Sequence, residues 1–310
     1  ETASTADTTA EEDEAYSYTT TATDMDTGDS VTLTCTTVPS WLTCNAGALT
    51  GTPTNSDVGS HAVVITATDT SGATATDSFT LVVSNANDAP TVSSTAITTA
   101  TEDAVYTYTL TGADADVGDT LTMSGTTVPS WLTFTASTGV LTGTPTNDNV
   151  GTTGNAVVLT ITDAAGESVT DSFTITVANT NDAPSFSSSP VLTAQEDDVY
   201  TYTAVGTDMD AGDTFTLGSS SVPSWLTFTA STGVLTGTPT NSDVGSHSVT
   251  LTVTDAAGAT GTQTFTITVS NANDAPTVTS TAVTSATEDS VYTYTLTASD
   301  AEVGLSLIHI

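Results

Sequence analysis

The feature that most constrains this chain is that it is written three times over. The string Val-Pro-Ser-Trp-Leu-Thr begins at Val38, Val128 and Val222, at intervals of 90 and 94 residues. Tyr-X-Tyr begins at Tyr16, Tyr106, Tyr200 and Tyr292, at intervals of 90, 94 and 92. Asn-Asp-Ala-Pro closes three units, at Pro90, Pro184 and Pro276. A fixed period of this length means one folded unit repeated along the chain. The expected units are 1–90, 91–184 and 185–276, with the start of a fourth over 277–304.

Within each unit the pattern is β throughout. Apolar and hydroxyl side chains alternate in Val105-Tyr106-Thr107-Tyr108-Thr109-Leu110 and in Ser172-Phe173-Thr174-Ile175-Thr176-Val177. Period-two alternation of β-branched and aromatic residues marks a half-buried pleated strand, and clusters of Gly, Asp, Asn and Pro punctuate the runs. No stretch carries helical periodicity with caps. About seven short strands per unit predict an all-β chain of tandem sandwiches, each near the size of an immunoglobulin-like domain. A strand of about eight residues spans roughly 26 Å. The Asn-Asp-Ala-Pro linker is short and its Pro restricts φ, so an elongated, semi-rigid rod is expected.

Charge narrows the function. The chain has no Lys and no Arg against 36 Asp plus Glu, a formal charge of -36. Nucleic acid is excluded, because phosphate neutralisation needs cationic side chains, and docking on anionic lipid is excluded for the same reason. No segment reaches the roughly 18 apolar residues of a membrane span, so no direct membrane insertion is expected. Two carboxylates about 4 Å apart repel by roughly 4 kcal/mol at an effective dielectric near 20. With no side chain to offset that repulsion, cations must supply the balance, by salt screening or at specific divalent sites.

Four acidic features recur in phase. The first is the Glu of a Glu-Asp pair, at Glu12, Glu102, Glu196 and Glu288. The second is an Asp-X-Asp turn: Asp24 and Asp26, Asp114 and Asp116, Asp208 and Asp210, becoming Asp300 and Glu302 in the fourth unit. The third is the Asp before a Gly-containing turn, at Asp69, Asp163 and Asp255. The fourth is the linker pair Asn87-Asp88, Asn181-Asp182 and Asn273-Asp274. Asp favours turns in any protein, so one such residue alone says little. Four in phase, on a chain without cationic side chains, point to calcium, which takes six to eight oxygens from carboxylates, amides and backbone.

These motifs carry a family resemblance. Glu-Asp, Asp-X-Asp-X-Gly-Asp, Pro-Ser-Trp-Leu-Thr-Phe, Thr-Gly-Val-Leu-Thr-Gly-Thr-Pro, Thr-Asp-X-X-Gly and Asn-X-Asn-Asp-Ala-Pro together resemble the dystroglycan-type cadherin-like repeat. They also resemble the immunoglobulin-like He-PIG-type repeats of giant bacterial surface proteins. The resemblance spans nearly all of 1–304. It implies calcium between consecutive repeats. The first junction would use Glu12, Asn87 and Asp88 with Asp114, Asp116 and Asp163. The second would use Glu102, Asn181 and Asp182 with Asp208, Asp210 and Asp255. The third would use Glu196, Asn273, Asp274, Asp300 and Glu302. Asp24, Asp26 and Asp69 would face a unit upstream of this fragment. Two departures count against a full cadherin set: the linker is one residue shorter, and the Asp-Arg-Glu element is missing, with only Asp57, Asp148 and Asp243 nearby. One or two ions per junction are therefore expected.

The resemblance implies a non-enzymatic, calcium-binding stalk of a large extracellular or cell-surface bacterial adhesin, anchored by a region outside this fragment. The partners are neighbouring repeats of the same chain. In the alternative, the repeats themselves bind glycan, another cell-surface protein or a second copy. A remote alternative is a non-catalytic region of a secreted polysaccharide-active enzyme. Catalysis needs a unique concave constellation, whereas here the conspicuous polar residues recur in every unit. Trp41, Trp131 and Trp225 read as core anchors rather than sugar platforms. His61 and His247 have no counterpart His in the second unit, which argues against a required role. Cys35 and Cys44 are the only cysteines. Their joint appearance in one unit suggests a disulfide in an oxidising compartment.

The end breaks the pattern. Where earlier units read Gly118-Asp119-Thr120-Leu121-Thr122, the fourth reads Gly304-Leu305-Ser306-Leu307-Ile308-His309-Ile310. Leu-Ser-Leu-Ile-His-Ile is one reading frame of the transposon-end adapter CTGTCTCTTATACACATCT used in sequencing libraries, and 305–310 are read as translated adapter. Resequencing from intact DNA should replace them with continuing repeat; the same codons followed by a genuine stop would refute this.

Overall fold

The computed structural model describes residues 4–300. It divides between Ala178 and Asn179 into two compact units. The first holds the first two repeats, and the second holds the third and the described part of the fourth. The tail 305–310 and Glu302 lie outside the described residues.

In the first repeat, alternation drives two sheets together. A four-stranded sheet has the spatial order Thr9–Glu11, Thr74–Ser84, Gly59–Thr68, Thr32–Thr37. Its first pair is parallel, with Thr9 opposite Val82, and the rest are antiparallel. A three-stranded sheet of Tyr16–Thr19, Ala48–Gly51 and Thr43–Asn45 faces it. The third repeat repeats this order, with Thr193–Gln195 parallel to Thr260–Ser270. Seven strands per sandwich match the sequence expectation. The second and third repeats add a short ladder, Thr91–Val92 with Gly112–Ala113 and Ser185–Phe186 with Gly206–Thr207. The fold is all-β, with only three short 3-10 turns among the described residues.

The inward positions form the cores. In the second repeat Leu141, Leu159, Ile161 and Ile175 are fully buried, while the intervening Thr side chains face solvent. Tyr106 meets Trp131 edge-on at 5.9 Å, and Tyr108 meets Phe173 at 5.4 Å. The phenols are not stranded: Tyr106 donates to Ile97 O at 2.7 Å and Tyr108 to Asp171 Oδ2 at 2.6 Å. Burial pushes the Tyr106 hydroxyl up to about 12. The Trp residues pack against the cores as partly buried anchors. Gly143, in Thr-Gly-Thr-Pro, has no room for a Cβ because Trp131 O lies against it. In the fourth repeat Tyr292 and Tyr294 are exposed, since no described later strand covers them.

Two local departures have clear causes. The second repeat carries two extra residues in the loop that reads Gly151-Thr152-Thr153-Gly154-Asn155. Its last strand is accordingly split into Ser168–Thr174 and Thr176–Ala178, with Ile175 N donating to Asn155 O at 3.0 Å. In the first repeat Cys35 and Cys44 are bonded, joining the edge strand of the larger sheet to that of the smaller. In the second repeat the same places are Gly125 and Phe134, where the missing Cβ makes room for the ring.

A disulfide closing a separation of nine residues should contribute about 2–3 kcal/mol through the unfolded chain. Reductant is expected to lower the melting of the first repeat in calorimetry and leave the others in place. C35G/C44F, which copies the second repeat, should be indifferent to reductant. An unchanged wild-type thermogram on reduction would contradict this.

Candidate metal centre

Each of the first three repeats brings its early Glu inward by the same device, whereas Glu288 of the fourth is exposed. In the first, the strand Thr9–Glu11 runs beside the last strand, and Glu12 N donates to Ser84 O at 3.1 Å. Asp13 then takes φ +60° and its N–H donates to Pro53 O at 2.9 Å. A non-Gly residue in the left-handed region is uncommon, with Asp among the tolerant types. The turn tucks Glu12 inside, 1% exposed. Glu102 and Glu196 are each 2% exposed, beside Asp103 at φ +59° and Asp197 at φ +62°.

Glu12 accepts no hydrogen bond at either carboxylate oxygen, although both are buried. Its neighbours are acidic: one oxygen each from Glu12, Asp13 and Asp88 lie within 4.8 Å of one another. Burial first, then the charges of Asp88, Asp13 and Asp116, push the Glu12 carboxyl above its ordinary 4.5. A buried carboxylate with no donor is costly unless a proton or a cation joins it.

The facing pole of the second repeat is built by the Asp-X-Asp-X-Gly-Asp turn. Gly118 takes φ +94°, Asp116 N donates to Asp114 Oδ1 at 2.9 Å, and Asp119 N donates to Asp116 O at 3.2 Å. Asp114, Asp116 and Asp119 bring oxygens within 4.8 Å of one another. Linker donors clip onto this pole. Asn85 Nδ2 donates to Asp116 Oδ1 at 2.7 Å, Asp88 N to Asp116 Oδ2 at 2.9 Å, and Asn87 Nδ2 to Asp163 Oδ2 at 2.9 Å. The Asn87 bond, with Gly166 and Glu167 N–H groups, holds the Asp163 carboxyl below its usual range against burial. Asp114 Oδ2 stays buried without a donor. The six residues expected at the first junction are thus connected, by shared clusters or by direct hydrogen bonds.

In the second unit the pattern returns. Asn181 Nδ2 donates to Asp255 Oδ2 and Asp182 N to Asp210 Oδ2, both at 2.8 Å. Asp208 Oδ2 and Asp210 Oδ1 are buried without donors. Glu196, Asp197 and Asp274 cluster, and Glu196 Oε2 accepts from Ala272 N at 3.3 Å. Asn273 Nδ2 donates to Asp274 O at 2.9 Å. Glu102 belongs to the first unit, whereas the residues expected to join it belong to the second. Asp300 directly follows the strand Ala298–Ser299. Asp24 and Asp69 cluster with Asp29, while Asp26 is exposed.

Four residues of the first junction escaped the sequence reading: Asp13, Asn55, Asn85 and Asp119. Three stand in the quoted motifs as the second letter of Glu-Asp, the first Asn of Asn-X-Asn-Asp and the last letter of Asp-X-Asp-X-Gly-Asp. Asn55 carried no signal beyond following Pro-Thr. The Asp residues considered near the missing Asp-Arg-Glu element have a different job. Asp57 and Asp243 cap 3-10 turns, with Thr240 N at 2.9 Å and Thr240 Oγ1 at 2.8 Å from Asp243 Oδ2. Asn149, not Asp148, fills that place in the second repeat. His61 has a counterpart too: its Nε2 donates to Asp57 O at 2.5 Å, and Asn155 Nδ2 donates to Asn149 O at 2.8 Å. Asn155 Oδ1 also accepts from Trp131 Nε1 at 2.9 Å.

The donor set at the poles is carboxylate and amide oxygen, without thiolate or imidazole in any cluster among the described residues. Hard divalent ions choose such oxygens. Among the described residues no helix is long and apolar enough to cross a membrane.

Tandem seven-stranded sandwiches with acidic poles define the class: immunoglobulin- and cadherin-like repeats. The chain belongs to the He_PIG family, described as "Putative Ig domain", whose profile matches residues 1–84, 89–178 and 183–270. It is 33% identical over 153 residues to the serine-rich adhesin for platelets of Staphylococcus aureus, a match covering 47% of this chain and 6% of the adhesin. The chain thus spans a small fraction of that relative. Among solved structures it is similar to protocadherin gamma B2 extracellular cadherin domains 1–5, with TM-score 0.51, 18% identity, and coverage of 86% of this chain and 59% of that one. It is also similar to mouse cadherin-23 EC22–24, with TM-score 0.50, 16% identity, and coverage of 85% and 95%. At these identities the structures show the fold.

The capping carboxylates predict a pH dependence. Thr240 N–H and then its hydroxyl hold Asp243 below its ordinary 3.8, and Thr54 does the same for Asp57. A lowered folded value contributes stability above the ordinary value and loses it as pH falls through the lowered one. D57N/D243N should melt close to wild type at pH 7, because Asn149 already serves as this cap. Below about pH 4 it should lose less stability than wild type. Melting curves in chelator from pH 2 to 7 check this; parallel acid losses would contradict it.

Proposed function

We propose that this chain is a non-catalytic, calcium-binding repeat region of a large extracellular or cell-surface adhesin. The repeats are 1–90, 91–184 and 185–276, with 277–304 opening the next. Calcium at the joints fixes successive repeats and lets the array act as a stalk. The observation that carries this reading is Glu12: buried, without a donor, and crowded by Asp13, Asp88 and Asp116. The chain has no lysine or arginine to relieve it. Glu12, Asp88, Asp114, Asp116 and Asp163 would hold the ion, with Asn87 keeping Asp163 in place. The bound ion would supply positive charge and shared coordination across the joint. Membership of the He_PIG family and similarity to a staphylococcal adhesin support the surface-array setting.

Extracellular calcium modules bind at about 10⁻⁴ to 10⁻³ M. At a hundredfold excess over Kd, one site adds about 2.7 kcal/mol to the state that binds. Calcium titration of the full chain should therefore raise its melting temperatures, and scattering should show a narrower spread of angles between the first two repeats. E12Q removes an uncompensated charge. It should match or exceed wild type in chelator and lose much of the calcium gain in the first repeat. Identical melting of wild type with calcium and with chelator would refute the joint site and leave general salt screening.

A further inference from the structure

Each of the first three sandwiches carries a small hydroxyl cradle between its opening segment and its last long strand. In the first, Ser4 Oγ and Tyr18 OH are 2.8 Å apart, and Tyr18 donates to Asp77 Oδ2 at 3.1 Å. In the second, Ser94 Oγ and Tyr108 OH are 2.7 Å apart, and Tyr108 donates to Asp171. The third keeps Ser188 and Tyr202 at 2.7 Å but sets Gln263 where the others have Asp. The exchange changes the chemistry. An ionised carboxylate resists attack by a hydroxyl and offers no leaving group. A carboxamide in the same place is an acyl donor, with ammonia to lose.

Both ends of the Gln263 amide are held. Tyr202 OH donates to Oε1 at 2.7 Å, and Nε2 donates to the Ser188 carbonyl at 2.7 Å. The reverse orientation would set two acceptor oxygens against each other, so these bonds fix which end is which. Ser188 Oγ accepts the Val205 N–H at 2.8 Å, which leaves its own proton for Tyr202. The protons therefore run one way, from Ser188 to Tyr202 to Gln263 Oε1. Tyr202 is buried, and Ser188 and Gln263 are half-buried.

We propose that Ser188 and Gln263 join in an intramolecular ester, Ser188 Oγ to Gln263 Cδ, with release of ammonia. A serine hydroxyl is a weak nucleophile until a neighbour takes its proton. Tyr202 takes it while passing its own to Oε1, so the carbonyl is polarised as the Oγ–Cδ bond forms. The tetrahedral carbon then collapses. The Cδ–Nε2 bond breaks, the proton on Oε1 goes to the departing nitrogen, and the carbonyl re-forms. Amide and hydroxyl give ester and ammonia, and no oxidant or cofactor enters. Holding both groups in one sandwich replaces a chance encounter with a fixed approach. The two residues are 75 apart in sequence. Ser188 lies between the opening strands Ser185–Phe186 and Thr193–Gln195, and Gln263 lies in the closing strand Thr260–Ser270. The ester ties the entry of the sandwich to its exit, so a pull along the chain loads a covalent bond rather than the ladder hydrogen bonds. The bond is independent of calcium; only its use under load rests on the stalk reading above.

The test is the mass of the purified full chain, reduced so that the Cys35–Cys44 bond does not contribute. Wild type should fall short of its sequence mass by one ammonia. Chymotrypsin is the protease of choice, because the chain offers trypsin no site. It should release one branched peptide joining the segments that carry Ser188 and Gln263. Q263D copies the first two repeats and so keeps a cradle that already folds; it should show its full sequence mass, as should S188A. Y202F should be linked to a smaller fraction than wild type at equal age. Full sequence mass in wild type, with residue 263 only in an unlinked peptide, overturns the inference. So does an ammonia loss that persists in Q263D, which would place the loss at another amide. Equal linkage in Y202F overturns the relay. A missing calcium response would sink the calcium reading and leave this result untouched.

Discussion

The organising constraint is electrostatic: carboxylates are gathered at the ends of each sandwich, and the chain has no lysine or arginine to answer them. Turn donors satisfy part of the charge. Asp163 and Asp255 each draw one linker amide and two backbone N–H groups of their own turn. These groups are held below their usual values. Glu12 stands at the other extreme, buried and donor-less, with its carboxyl pushed up. The first joint thus contains carboxylates satisfied by N–H donors and a buried carboxylate without one.

The backbone enforces this division. The parallel pairing of first and last strands delivers Glu12 beside Ser84, just before the linker begins. The left-handed turn at Asp13 points the chain back into the sandwich. From the other side, the Gly118 turn and the linker amides gather Asp114, Asp116 and Asp163. Hydrophobic burial forms the sandwiches, but the strand order decides which acidic residues meet.

Equivalent places are filled by different chemistry when only one function of the side chain is needed. Asn149 replaces Asp57 and Asp243 because a cap needs an acceptor oxygen, not a charge. Asn155 replaces His61 because the task is to donate to a backbone carbonyl. The absence of a His in the second repeat correctly ruled out a histidine-specific requirement. It concealed a structural one, since the two-residue insertion moved the equivalent residue out of simple register.

The sequence by itself determined the repeat, the all-β alternation, the Tyr and Trp anchors and the phase of the acidic motifs. Each of these is local or periodic, and period two translates directly into one buried face. The joining of Cys35 to Cys44 was also suggested by their shared appearance in one copy. Only the tertiary structure decided that Asn55, rather than Asp57, faces the linker, and that Asn85 and Asp119 belong to the poles. Those assignments depend on where a capped turn and a linker meet across dozens of residues. A carboxylate that caps its own turn and one that faces a neighbour look alike in sequence; they differ only in which donors the fold places beside them.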